Sequence, residues 1–160
     1  MSGRVLRIFT AAAAGAVPLP VDEARLEAGR GIVGDRYHGN SGTFSAQLAG
    51  KPDREVTLIE SEEIERFNHE TGLRLDDGAL RRNVVTRGIR LNELVGQEFD
   101  VGECRLEGLR LCEPCAHLAR TVAKQVLPGL VHAAGLRARI LRGGSIRPGD
   151  AIERIDASAA

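Results

Sequence analysis

The sequence predicts a mainly β fold, a barrel or a sandwich of many short strands with a few peripheral helices. Short runs of β-forming residues recur between glycine and proline residues, turn signals separate them, and only two stretches have helical periodicity. We expect one domain over residues 1–160, with its core at about 31–153 and a frayed tail at 156–160.

Eight segments are predicted as strands. In chain order they are RVLRIFTA, EARLEAG, EVTLIE, RNVVTRG, EFDVG, CRLEGLRL, RARILRGG and DAIERI. After the first strand comes an alanine-rich segment that contains Pro18 and Pro20. It imitates a weak export signal, but it is poor in leucine and broken by the prolines, which favours a loop.

Two helices interrupt the strands. The first is SEEIERFNHETG, with Ser61 as the predicted N-cap, Ile64 and Phe67 facing inward and Gly72 as the stop. The second is predicted to begin just after Cys115 and to run to about residue 127, before a proline. Its apolar stripe consists of Leu118, Val122 and Val126.

Composition limits the function classes. Lysine and arginine together number 22, as do aspartate and glutamate, so no net field attracts a nucleic acid polymer or an anionic membrane. No apolar run is long enough to span a membrane, and three cysteines do not form a disulfide framework, so we expect a cytoplasmic protein. Only Lys51 and Lys124 are lysines, and neither is a candidate for a buried Schiff-base amine, which argues against pyridoxal phosphate as a cofactor.

The segment RLCEPCAHLAR places Cys112 and Cys115 at C-x-x-C spacing, with His117 two residues later. A zinc site is one interpretation, but Cys104 stands alone and no second close pair of ligands exists. A redox pair, two buried structural cysteines and one reactive thiolate are the other interpretations. A thiol at the start of the second helix would have a lowered pKa, which favours the reactive thiolate.

Two further segments concentrate polar side chains. GIVGDRYHGN combines tight-turn glycines with polar residues, and LRRNVVTRG begins a predicted strand with basic and amide groups. The first segment supplies Asp35, Arg36 and His38, and the second supplies Arg81, Arg82 and Asn83. With a thiolate, they would form an anion clamp and a set of hydrogen-bond donors for a polar cofactor.

Five segments together resemble the MOSC domain, which is named for the C-terminal domain of molybdenum cofactor sulfurases. They are GIVGDRYHG, EVTLIESEEIE, LRRNVVTRGIRLNELVGQEFDVGE, LCEPCAHL and GLRARILRGGSIRPGD, and they extend from about residue 31 to residue 150. The resemblance implies a closed or partly closed β-barrel of many short strands with a few peripheral helices.

The resemblance also implies the chemistry. The cysteine after proline, here Cys115, is expected to bind the molybdenum of the molybdenum cofactor (molybdopterin) as a thiolate, or to carry sulfur as a persulfide. In the sulfur-carrier role Cys112 and His117 would assist, whereas Cys112 would be a bystander to a metal-binding Cys115. Arg82 and Asn83, and also Arg81, would contact the cofactor, and Asp35, Arg36 and His38 complete the predicted binding set.

The leading hypothesis is therefore a cofactor-dependent reductase that acts on a substrate such as an N-hydroxylated base. No flavin or iron–sulfur motif is visible, so a separate electron donor is expected. The alternative is a sulfur carrier that receives a persulfide on Cys115 from a cysteine desulfurase. A third possibility is a barrel that only binds a ligand or a partner, and the sequence predicts no oligomeric state.

Overall fold

The structure is a computed structural model that describes residues 2–39, 42, 45 and 50–155. Two short 3-10 helices, Pro52–Arg54 and Leu91–Leu94, accompany the strands and α-helices. The strands are β1 (Ser2–Thr10), β2 (Leu19–Pro20), β3 (Ala24–Glu27), β4 (Gly31–Ile32), β5 (Val56–Glu60), β6 (Val84–Arg87), β7 (Glu98–Val101), β8 (Cys104–Leu111), β9 (Leu136–Arg142), β10 (Gly144–Ile146) and β11 (Ala151–Arg154). The α-helices are α1 (Ser61–Thr71), α2 (Ala116–Thr121) and α3 (Val126–Gly129).

Seven of the described strands form a closed barrel in the order β11, β7, β8, β9, β5, β6, β1. The pairing of β1 with β11 closes the barrel, and β2 extends the sheet beyond β1. Among the described strands of the barrel, β5 and β6 are the one parallel pair. A parallel pair requires a crossover connection, and α1 lies in the connection between these two strands. The predicted mainly β class is confirmed, and the closure identifies a barrel rather than a sandwich.

All eight predicted strands are present, as β1, β3, β5, β6, β7, β8, β9 and β11. The prediction missed β2, β4 and β10, which contain only two or three residues. Strands this short do not show a period of two, so alternation cannot reveal them. β10, β3 and β4 pair with one another in a separate small sheet.

The first helix agrees with its prediction apart from a shift of one residue at its start. Ser61 is the first helical residue and Glu60 is the N-cap. Ile64 and Phe67 are buried, and Gly72 ends the helix in a left-handed conformation with φ 75°.

The prediction of one continuous second helix was wrong. It forms two short helices, α2 and α3, separated by a turn after Val122. Pro128, expected to lie beyond the helix end, is the third residue of α3. Proline is tolerated there because the first turn of a helix has no acceptor for its backbone N–H groups.

The buried residues form two apolar clusters on opposite sides of the barrel wall. The first fills the barrel and includes Leu58 and Val84, whereas the neighbouring Ile59 and Val85 belong to the second. Successive strand residues face opposite sides, which explains the division. The second cluster packs between the wall and the α-helices, and the half-buried Cys115 contacts it.

The predicted tail at 156–160 lies outside the described residues. Within the described part of the chain, no helix combines the length and the apolar character needed to cross a membrane.

A buried carboxyl group at the end of β5 makes stability sensitive to pH. Glu60 is 6% exposed, accepts a hydrogen bond from the Leu91 backbone N–H at 3.2 Å and lies 3.6 Å from Arg90 Nε. Burial raises the pKa of Glu60, and the nearby Glu62 and Glu63 act in the same direction. Glu60 therefore contributes stability below its unfolded pKa, and this contribution is lost as pH rises through its higher folded pKa.

We expect Glu60→Gln to gain stability relative to the wild type as pH rises from about 4 to about 8. Glutamine stays neutral, and its amide oxygen can still accept the bond from Leu91. Urea unfolding across this pH range measures the difference, with the exposed Glu153→Gln as the control. If the difference in unfolding free energy between Glu60→Gln and the wild type stays constant with pH, the pKa of Glu60 is not raised in the folded protein.

Candidate functional site

Cys112 and Cys115 line one cleft together with five arginines. The cleft is narrow, and the space in it that a water-sized sphere can occupy is about 60 Å³. The arginines are Arg36, Arg54, Arg81, Arg82 and Arg137, and the remaining lining residues are Tyr37, Thr57, Asn83, Cys112, Cys115, His117 and Leu118. We call this the arginine cleft. Its described lining contains no carboxylate, so it favours an anionic ligand.

The two cysteines have different accessibility. Cys112 follows β8 directly and is only 1% exposed, whereas Cys115 is half-buried and is the N-cap residue of α2, where the sequence places it. The Cys112 backbone N–H donates to the Gly135 carbonyl at 2.8 Å. Gly135 has φ 112°, and a Cβ there would overlap the Leu58 carbonyl oxygen. Glycine at this position therefore lets the start of β9 hold the cysteine segment.

Arg82 fastens the same segment. Its Nε donates to the Ala134 carbonyl at 2.8 Å, Nη1 to the Leu80 carbonyl at 3.2 Å and Nη2 to the Cys112 carbonyl at 3.1 Å. Each of its three nitrogens thus has a backbone acceptor. The geometry gives Arg82 a positioning role for the cysteine segment, in addition to its place in the cleft lining.

Glu113, between the two cysteines, is also held. Its carboxylate accepts from the His132 backbone N–H at 2.7 Å and lies 2.5 Å from His132 Nδ1. Asn92 Nδ2 donates to the His132 carbonyl at 2.8 Å. The segment that carries Cys115 is therefore anchored by main-chain and side-chain bonds.

Asn83 uses its side chain within the protein. Its Oδ1 accepts from the backbone N–H and the hydroxyl of Thr57, both at 3.1 Å. Its Nδ2 donates to the Phe9 carbonyl at 3.2 Å and lies 3.4 Å from Asp35 Oδ1. A side-chain amide has two donors and an oxygen with two lone pairs, so these partners fill its capacity. The geometry makes Asn83 a connection between β1, β5 and β6.

Asp35 is likewise a buried connector. Its carboxylate accepts from the backbone N–H groups of Ala11 and Tyr37, at 3.1 and 3.3 Å, and pairs with Arg36 Nη1 at 3.1 Å. It does not line the arginine cleft among the described residues. Its partner Arg36 does, with its guanidinium 4.8 Å from the centre of the Tyr37 ring.

His38, predicted in the binding set, is not among the described lining residues of the cleft. Its Nε2 is 2.5 Å from Glu27 Oε1, and the imidazole thereby joins the segment after β4 to the end of β3. The hydrogen bond from His38 lowers the pKa of the half-buried Glu27. The geometry gives His38 a role in holding this loop.

Arg81 has an unusual backbone and an unsatisfied nitrogen. Its φ of 64° lies in the left-handed region, which arginine rarely adopts. Nη1 donates to the Ala16 carbonyl at 2.6 Å, whereas the buried Nη2 has no hydrogen-bond partner among the described residues. Burial lowers the pKa of Arg81, and the nearby Arg36 guanidinium does so as well.

Arg137 and Arg54 belong to the cleft, although the sequence did not point to them. Arg137 Nη1 donates to the Asp53 carbonyl at 3.3 Å, and its buried Nε has no partner within the described residues. Arg54 Nη1 donates to the Tyr37 carbonyl at 3.1 Å. Neither stands beside other candidate polar residues in the sequence, and the pairing of β9 with β5 and β8 brings Arg137 to the cleft.

A second cleft adjoins the first, and Arg81 and His117 line both. Its other walls come from Phe9 at the end of β1, from the segment 15–20, from residues 76–79 and from the α2 end at Thr121 and Val122. Most of its lining is apolar, and we call it the apolar cleft. His117 therefore lies where the two clefts meet.

No group of three or more histidine, cysteine, aspartate or glutamate side chains in the described residues is arranged to hold a metal ion. Cys104, the third cysteine, lies in the barrel interior and is fully buried. Burial raises the pKa of Cys104 to about 11, and the nearby Glu103 adds to the effect.

We expect iodoacetamide at pH about 8 to modify Cys115 first and to leave Cys104 unmodified in the folded protein, because alkylation requires an accessible thiolate. Peptide mass spectrometry after timed quenching measures the order. In denaturant all three cysteines should react, which provides the control. Equal rates for Cys104 and Cys115 without denaturant would contradict the burial of Cys104.

Comparison with known proteins identifies related sequences and folds. A sequence model of the MOSC domain matches residues 45–153. The YuaD protein of Bacillus subtilis is 19% identical, with a TM-score of 0.80 over 96% of this chain and 96% of that chain. YiiM of Geobacillus stearothermophilus is 15% identical, with a TM-score of 0.74 over 96% of this chain and 75% of that chain.

YiiM of Escherichia coli is 19% identical, with a TM-score of 0.64 over 94% of this chain and 70% of that chain. A comparison with curated proteins gives no match. At these identities the solved structures establish a shared fold.

Proposed function

Because the chain belongs to the MOSC domain family, we propose that it holds a molybdenum cofactor in the arginine cleft through the Cys115 thiolate and catalyses a two-electron reduction. The observation that carries the proposal is one half-buried thiol in a cleft lined by five arginines and, among the described residues, no carboxylate. Thiolate is a ligand type suited to a soft metal centre, and arginine suits phosphate and other oxyanions.

The residues present fit such a cofactor. Buried Arg81 Nη2 and Arg137 Nε have no partners among the described residues, and anionic oxygens of a ligand would satisfy them. The described residues contain no cluster that could bind a bare metal ion, so a metal at Cys115 has to bring most of its ligands with it. A pterin-bound metal does so.

Each residue then has a stated task. Cys115 would ligate the metal, and Arg81 and Arg137 would bind anionic oxygens of the cofactor. Arg82, through the Cys112 carbonyl, and Glu113, through His132, hold the cysteine segment in place. When bound, the cofactor supplies two-electron redox chemistry, and His117 lies at the junction where a substrate proton could be exchanged. Electrons would come from a separate donor protein.

The test is the metal and pterin content of the full chain, purified from a host that makes the cofactor. Plasma mass spectrometry measures molybdenum, and fluorescence after oxidation measures pterin. Near-stoichiometric amounts of both are expected. A protein free of molybdenum and pterin, from a host in which another molybdenum enzyme is loaded, would refute the proposal.

One observation favours a second candidate, a sulfur carrier. Cys112 and Cys115 line the same cleft, so a sulfur atom on Cys115 has a second thiol in its vicinity. Incubation with a cysteine desulfurase and cysteine should then add one sulfur, about 32 Da, to Cys115. No added mass on Cys115 after such incubation, with a known acceptor loaded in parallel, would refute the sulfur-carrier function.

A further inference from the structure

The apolar cleft is the feature that the proposed function leaves unexplained. The space in it that a water-sized sphere can occupy is about 530 Å³, which is enough for a ring-sized molecule. Its wall at the segment 15–20 includes Val17, which is 74% exposed. Apolar side chains that line a concave site are typical of a place where the apolar part of a ligand binds.

One end of the apolar cleft is cationic. Arg81 belongs to both clefts, and four more arginines line the arginine cleft beyond it. Among the described residues of the apolar cleft, Asp76 is the one carboxylate, and it is exposed. A ligand with a negative end directed at Arg81 therefore complements the charge, whereas a cationic end does not.

Arg81 also connects the two parts of such a site. Its Nη1 bond to the Ala16 carbonyl holds the segment next to Val17, while its buried Nη2 has no partner in the described part of the chain. An oxyanion at the junction would supply an acceptor for a guanidinium that already orders the apolar wall. Charge-assisted bonds of this kind are among the stronger hydrogen bonds in proteins.

We propose that the apolar cleft binds the apolar body of a small amphipathic anion whose oxyanion end lies between Arg81 and His117. We assign this anion as the substrate of the Cys115 site. The substrate assignment rests on the proposed function, whereas the binding does not. Burial of the apolar body contributes binding free energy. The oxyanion at Arg81 orients the ligand so that its charged end points toward the Cys115 side of the cleft.

The probe is 2-naphthoate, a planar apolar anion, compared with the 2-naphthylmethylammonium cation. The chain has no tryptophan and one tyrosine, so naphthalene fluorescence can be followed with little protein background. We expect the wild type to bind the anion at least about tenfold more tightly than the cation. Equal affinity for both would overturn the proposal.

Two variants locate the site. Val17→Asp places a carboxylate on the apolar wall and is expected to weaken naphthoate binding by about tenfold or more. Val131→Asp is the matched control, since Val131 is also an exposed valine, at 52%, but is not part of the described lining of either cleft. Unchanged binding in Val17→Asp, or equal loss in both variants, would contradict the location.

Protection of Cys115 from alkylation tests whether the bound anion lies close enough to Cys115 to be its substrate. Bound naphthoate should slow alkylation of Cys115 in the wild type severalfold, and the same concentration should give no protection in Val17→Asp. Binding without protection would refute the substrate assignment. If protein from a cofactor-competent host lacks molybdenum and pterin but still binds naphthoate, the proposed cofactor function has failed while the apolar-anion site stands.

Discussion

Cys115→Ser is expected to abolish molybdenum retention, whereas Cys112→Ser retains most of the metal. Both changes replace one sulfur by one oxygen, so they form a matched pair. Cys115 is the half-buried thiol at the cleft, while Cys112 is 1% exposed. A serine hydroxyl stays protonated near neutral pH and is a poor replacement for a soft thiolate.

Cys112 contributes to the site mainly through its backbone, which explains the asymmetry. Its N–H donates to Gly135 and its carbonyl accepts from Arg82, and serine preserves both bonds. Burying the serine hydroxyl at that position costs about 1–3 kcal/mol of folding stability. The protein should therefore be less stable but still loaded with cofactor.

Plasma mass spectrometry on the two variants, purified side by side with the wild type, measures the outcome. Circular dichroism confirms that each variant is folded. Equal metal content in both variants would refute the assignment of Cys115 as the ligand. Loss of metal from Cys112→Ser with retention in Cys115→Ser would exchange the roles of the two cysteines.

The strands could be predicted from the sequence because their signals are local. Apolar residues bounded by turn residues mark each of the eight strands. The two faces of β5 and β6 pack into different apolar clusters. The pairing of β1 with β11 joins residues about 150 positions apart, and no local signal encodes it. The break between α2 and α3 was missed for a related reason, since the apolar stripe continues across it.

The candidate site was predictable only where residues share a motif. The cysteine segment and the pair Arg81 and Arg82 were found in this way, and the structure places them in one cleft. Arg54 and Arg137 were missed because neither stands beside other candidate polar residues in the sequence, and Arg137 reaches the cleft through long-range strand pairing. Motif analysis also does not reveal which groups a polar side chain contacts. Asn83 was predicted to contact the cofactor, and in the structure its side chain bonds to Thr57 and Phe9.

Asn83→Leu is expected to destabilise the protein by about 3 kcal/mol, even though it removes no charge and adds apolar surface. Asn83 is 5% exposed. Leucine is similar in size but would leave the Thr57 backbone N–H and the Phe9 carbonyl without the partners they have now. Each buried polar group left unpaired costs about 1–3 kcal/mol.

The matched control is Asn92→Leu, which removes one bond at an exposed site, from Nδ2 to the His132 carbonyl. Its expected cost is below about 1 kcal/mol because water can replace the lost partner. Urea unfolding followed by circular dichroism measures both variants. If Asn83 instead serves mainly as a cofactor contact, Asn83→Leu would unfold at nearly the same urea concentration as Asn92→Leu and lose molybdenum. The cofactor-free protein distinguishes a structural role of Asn83 from cofactor binding. A connector between strands stabilises the fold whether or not the cleft holds a cofactor, so Asn83→Leu should destabilise the cofactor-free protein as well.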